Sequence, residues 1–141
     1  MRTITQILQD SKTIAIVGIS DKPERVSHEV GAYLQHNGYR ILPVNPNCAG
    51  QTILGETVYA NLQEAADALA SSGQRIDIVD CFRKSEDIGP IAREAIAVRA
   101  GCLWMQLDVE NQAAADLARA AGLDVVMNHC VKIEHRSLNA A

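Results

Sequence analysis

The chain carries no excess of positive charge. Thirteen Lys and Arg stand against seventeen Asp and Glu, giving a net charge of −4. That balance argues against a nucleic-acid partner, which requires a basic face. It still permits an anionic ligand, because a few positioned N–H groups and one arginine hold a phosphate locally. The chain has no long apolar run: the longest, Ile14 to Ile19, is far too short to cross a bilayer, so no membrane partner is expected. MRTITQILQDSK at the amino terminus lacks the apolar region of a secretory leader. The four cysteines, at 48, 81, 102 and 130, form no Cys-x-x-Cys pair. They are expected to be reduced thiols of a cytoplasmic protein rather than a disulfide frame. No repeat, low-complexity segment or linker divides the 141 residues, so a single domain over 1–141 is expected.

What is present is alternation. TIAIVGI at 13–19 is a short buried strand, and a polar turn opening on Gly18 follows it. A helix is expected from Ser27, whose hydroxyl would cap a free N–H, to Asn37-Gly38, with a second strand at 40–44. Asn61 with Glu64 reads as a capping box before Leu62, Ala65, Ala66 and Leu69, which share one helical face. Strands are expected at 76–82, 102–107 and 123–127. Between them lie a helix through Ile88, Ile91, Ala92, Ala95 and Ile96 and another over 110–121 closed by Gly122. Pro90 is tolerable only in a first turn. Residues 3–10 form a short leading helix. Strands separated by helices imply an α/β, Rossmann-like doubly wound domain, its mostly parallel sheet covered by helices on both faces. The loops after the strands then share one carboxyl edge, where such folds bind ligands.

The first turn departs from the dinucleotide fingerprint. After Gly18 comes Ser20 rather than a second glycine, and Asn45-Pro46 rather than a carboxylate closes the second strand. Gly18 allows close approach of phosphate, Ser20 offers a hydroxyl, and the helix N-terminus at Ser27 favours an anion. Of Lys22 and Arg25, Arg25 has the fork that matches phosphate oxygens. Asn45 is neutral and tolerates a phosphorylated ribose, although Asn-Pro is also a common turn starter. Phe82-Arg83 suits adenine stacking or phosphate pairing, or else is a core residue followed by a surface cation. Leu103, Trp104 and Met105 read as core, with Gln106 at the strand end able to reach the cleft. Cys130 is either a thiol at the ligand edge or a small buried apolar residue. His129, Cys130 and His135 lack the spacing and the fourth ligand of a tetrahedral metal site. No Ser-His-Asp order or paired carboxylates form a catalytic set.

VGISDKPERVSHEVGAYL, ILPVNP, VDCFRKSEDI and WMQLDVENQAAADLARAAGLDVVMNHCVKIEHRSL in this order resemble the small stand-alone bacterial and archaeal CoA-binding proteins. These are similar to the CoA-binding domain of the succinyl-CoA synthetase alpha subunit. The resemblance spans about 5–138. It implies coenzyme A or an acyl-CoA at the carboxyl edge, with Gly18, Ile19, Ser20 and Arg25 toward the phosphates. Val44, Asn45, Pro46, Phe82 and Arg83 would surround the adenosine. No counterpart of the synthetase's second domain, with its phosphorylated histidine, is expected within these residues, so His129 and His135 are not expected to inherit that role. The expected function is non-enzymatic binding of CoA or acyl-CoA for sensing, storage or presentation. The alternatives are an NAD(P)-dependent oxidoreductase and a thiol-redox protein exchanging disulfides with CoA through Cys130. A homodimer or a separate catalytic subunit stays open as partner.

Overall fold

The computed structural model describes residues 1–138; the last three residues of the expected 1–141 domain lie outside the described residues. Five strands form one parallel sheet: β1 (Thr13–Val17), β2 (Arg40–Val44), β5 (Ile78–Cys81), β6 (Cys102–Met105) and β7 (Asp124–Val126). Their spatial order is β2-β1-β5-β6-β7. β2 spans the expected 40–44, whereas β1, β5, β6 and β7 are each shorter than expected, because the residues beyond their carboxyl ends turn into the loops that build the edge.

Residue parity decides which helices cover which face. Ala15, Val17, Leu42, Val79, Cys81, Leu103 and Met105 pack under α3 (Leu62–Ala70), α4 (Ile88–Ala97) and α5 (Gln112–Ala120). The alternate set, Ile14, Ile16, Ile41, Ile78, Cys102 and Trp104, packs under α1 (Ile4–Asp10), α2 (Val26–His36) and α6 (Val131–Leu138). The fold is therefore Rossmann-like and doubly wound, with helices on both faces. Trp104 is fully buried, and its indole N–H donates to the His129 carbonyl at 2.8 Å, which holds the loop before α6.

Two helix caps, at α2 and α3, differ from the sequence expectation. The α2 N-cap is Arg25, which contributes no side-chain bond; Ser27 lies inside the first turn, and its Oγ accepts from the Ser20 N–H at 2.9 Å. The hydroxyl serves the loop instead of the helix end. At α3 the Asn61 side chain accepts from the Glu64 N–H, but Glu64 Oε1 reaches past Asn61 to the Ala60 N–H at 3.4 Å. The box closes one residue early. Thr3 and Gln6, in contrast, make a full reciprocal box on α1.

A small hairpin, β3 (Thr52–Ile53) and β4 (Glu56–Thr57), was not legible. Two-residue strands are too short for alternation to register. Their turn, Leu54-Gly55, holds both residues at positive φ, which matches the twist of a hairpin. Among the described residues no helix is long and apolar enough to cross a membrane.

Candidate functional site

Strand order places the site. From β1 the chain crosses to β2 on one side and later returns to β5 on the other. The loops after β1 and β5 thus diverge and open a crevice between them. Gly18 sits in that crevice with φ +89, and its N–H donates to the Val44 carbonyl at 2.8 Å. A Cβ here would run into the Phe82 carbonyl and would lie 2.9 Å from Arg83 Cδ. Only glycine lets the two loops meet.

Three cavities converge on Gly18. The first, about 320 Å³, lies over the β2 side and is lined by Val44, Pro46, Arg83, Asp87, Ile91 and Glu94 among others. The second, about 710 Å³, lies toward β6 and α6, against Phe82, Arg83, Gln106, Leu107, Cys130 and Ile133. The third, about 470 Å³, is an open trough over the α2 N-terminus, lined by Ser20, Lys22, Arg25, Val26, Ser27 and Phe82. Arg83 borders the first two and pairs loosely with Asp87 at 3.7 Å.

The trough collects hydrogen-bond donors and positive charge. The first N–H groups of an α-helix have no partner within it, and they carry the positive end of its dipole. Ser20 Oγ accepts from the Lys22 N–H at 3.1 Å and Ser27 Oγ from the Ser20 N–H. Each hydroxyl thus keeps its own hydrogen to donate outward. His28 Nδ1 bonds the Ser20 carbonyl at 2.9 Å and so occupies that acceptor. Among the described residues neither Lys22 nor Arg25 makes an ion pair, so the trough holds two uncommitted cations.

Of the eleven residues singled out from the sequence, Gly18, Ser20, Arg25, Val44, Pro46, Phe82, Arg83, Gln106 and Cys130 line these cavities. Ile19 and Asn45 do not. Ile19 is fully buried in the core, and the Asn45 amide donates to its carbonyl at 2.9 Å while accepting from the Asn47 N–H. Asn45 therefore clamps the loop after β1 to the loop after β2. Phe82 lines the second cavity and the trough, whereas Pro46 lines the first. His129 and His135 go to different partners, Glu134 and Tyr33.

Sequence reasoning missed Asp80. It is fully buried in β5, between Ile16 of β1 and Trp104 of β6 in register. Oδ1 accepts from Gln106 Nε2, while Oδ2 has no partner. Burial pushes its pKa up to about 7, and the Gln106 hydrogen bond offsets this only partly. The signal was present as a single carboxylate inside the apolar run IVDC. Burial likewise pushes the Cys81 and Cys102 thiols up and leaves both protonated. The loops carrying Leu107 and Cys130 are locked together, since Asn128 Oδ1 accepts from the Asp108 N–H at 2.7 Å. Both Asn128 and Asp108 have positive φ, which their short polar side chains tolerate.

A glycine at the strand-order reversal, a helix N-terminus beside it and flanking cavities form the carboxyl-edge crevice of a doubly wound, Rossmann-like α/β domain. Residues 12–136 match the family model described as CoA binding domain, and the chain belongs to that family. It is 38% identical over 132 residues to the uncharacterized protein YneT of Bacillus subtilis (strain 168), covering 94% of this chain and 91% of that one. Among solved structures, cell-free ID.343 from Thermus thermophilus superposes with a TM-score of 0.87 at 31% identity, over 97% and 99% of the two chains. A hypothetical protein from Pyrococcus horikoshii OT3 gives 0.85 at 35% identity, over 96% and 89%. RSP, a Rex-family repressor solved with beta-NADH, gives 0.60 at 16% identity over 96% of this chain and 62% of that one, a likeness of fold alone.

Proposed function

We propose that this protein binds coenzyme A or an acyl-CoA across the crevice at Gly18, as a binder without catalysis of its own, and that it works in the cytoplasm. The observation that carries the reading is the meeting of three cavities of different chemistry at one glycine. CoA has three corresponding parts: a nucleotide, a run of phosphates and an amide-bearing arm. Adenosine fits the first cavity, between Val44 and Pro46 on one side and Ile91 on the other. Its acidic rim of Asp87 and Glu94 suits a base with an amino donor better than a phosphate. The phosphates fit the trough, where Ser20, Ser27, Lys22 and Arg25 supply donors and charge. The arm passes Phe82 into the second cavity. No carboxylate closes β2 to bond paired ribose hydroxyls, which speaks against a nicotinamide dinucleotide.

The test is a thermal-shift panel with CoA, acetyl-CoA, NAD, NADP and buffer. Ligand at a hundred times its dissociation constant stabilises the fold by about 2.7 kcal/mol. A rise with CoA and none with NAD or NADP is expected; a rise only with a nicotinamide nucleotide would sink the reading. Within the trough, Arg25→Ala is expected to weaken CoA by about 1.5–3 kcal/mol, the range for a hydrogen bond to a charged group. It should leave the melting temperature of the free protein almost unchanged, because an exposed arginine contributes little. Titration calorimetry showing equal affinity for the variant would remove Arg25 from the site.

The position of Cys130 on the wall of the arm's cavity favours a second reading. Its thiolate would attack one sulfur of oxidised CoA, forming a protein–CoA disulfide and releasing the other CoA as a thiolate that takes up the proton Cys130 gave to solvent. Mass spectrometry after incubation with oxidised CoA decides it: an adduct equally abundant in Cys130→Ser would rule out Cys130.

A further inference from the structure

Among the described residues five large apolar side chains stand exposed, and three of them converge on the second cavity. Val26 is 63% exposed, Leu107 56% and Ile133 49%. They come from separate places: the first turn of α2, the loop after β6, and α6. Scattered singly, such residues need no explanation; gathered at one concave mouth, they mark a site that an apolar occupant completes. Phe82 and Val109 extend the same wall.

The chamber has a fixed polar group as well. Gln106 Nε2 donates to buried Asp80, which turns Oε1 the other way, and Oε1 accepts from no described residue. A pre-set acceptor in a mostly apolar chamber suits an arm that carries an amide N–H and ends in hydrocarbon. The chamber shares Gly18, Arg83 and Asp87 with the first cavity and has more than twice its volume, about 710 against 320 Å³. One ligand can occupy both.

We propose that this chamber takes the acyl group of a CoA thioester, and that the preferred ligand is a medium-chain acyl-CoA rather than free CoA. The proposal rests on the CoA reading above. Free CoA ends in a thiol and leaves Val26, Leu107 and Ile133 in water; a chain of about eight carbons covers them, with each buried methylene adding to affinity. An acetyl group adds too little to reach all three.

The experiment is titration calorimetry of the wild type and of Ile133→Gln with CoA, acetyl-CoA and octanoyl-CoA. In the wild type, octanoyl-CoA is expected to bind at least about tenfold tighter than CoA (~1.4 kcal/mol), with acetyl-CoA close to CoA. Ile133 is half exposed, so the variant should fold, and its ratio of octanoyl-CoA to CoA affinity should fall toward unity. Equal affinity for CoA and octanoyl-CoA in the wild type overturns this inference and leaves the CoA reading standing. No binding of any of the three overturns the CoA reading itself. A ratio that survives in both Ile133→Gln and Leu107→Gln overturns the assignment of the chain to this chamber.

Discussion

Asp80→Asn is expected to melt on the order of 10 °C above the wild type at pH 8, and to lose that advantage below pH 4. The carboxyl is fully buried, has one hydrogen bond and leaves Oδ2 without a partner. Burial raises its folded pKa from 3.8 to about 7. Below about pH 4 both the folded and unfolded chains hold the proton, and the group imposes no penalty. Between about 4 and 7 the unfolded chain releases its proton while the folded chain keeps it, so stability falls as pH rises. Above 7 both are ionised and the loss is complete, at about 4 kcal/mol from 1.36 kcal/mol per unit. Asparagine keeps an acceptor for Gln106 and never ionises, while its amide nitrogen replaces an oxygen that already lacks a partner. The measurement is thermal unfolding of ligand-free protein from pH 4 to 8. Equal pH slopes in variant and wild type would clear Asp80 of the effect. Gln106 borders the second cavity, so a charge on Asp80 also faces the proposed arm through that amide.

Gly18→Ala is expected to cost about 3 kcal/mol in stability and to weaken CoA by at least about a hundredfold. One part of the stability loss is conformational, since left-handed backbone costs a residue with a Cβ roughly 1–2 kcal/mol. The rest is steric, because the Cβ would meet backbone at Phe82 rather than the end of a flexible side chain. Forced overpacking of that kind typically costs about 1–3 kcal/mol. Gly122 supplies the control: it has φ +93, but a Cβ there would find nothing within 4 Å. Gly122→Ala should therefore show only the conformational part and leave CoA affinity alone. The binding loss arises because the methyl would rise where all three cavities meet. Should Gly18→Ala and Gly122→Ala prove equally mild in denaturant unfolding and in CoA titration, the crevice would not be the site.

The sequence by itself determined the alternation of apolar runs with 3.6-residue periodicity, and with it the α/β class and the parallel sheet. Those patterns are local: the parity of a strand and the spacing along a helix lie within a dozen residues. That Gly18, Ser20 and Arg25 share one trough was legible for the same reason, as they are neighbours in one loop. Tertiary structure decided what distance along the chain concealed. Only the β2-β1-β5 order sets Gly18 against Phe82, and only β5–β6 pairing sets Asp80 beside Gln106. Ser27 looked like a helix cap because a serine before a helical run usually is one; it serves the loop because Ser20 folds back within reach. Val26, Leu107 and Ile133 look like scattered surface residues until three separate segments bring them to one mouth. A single chain shows its periodicities without folding, whereas a site assembled at a sheet edge exists only once hydrogen bonding between distant strands has fixed their order.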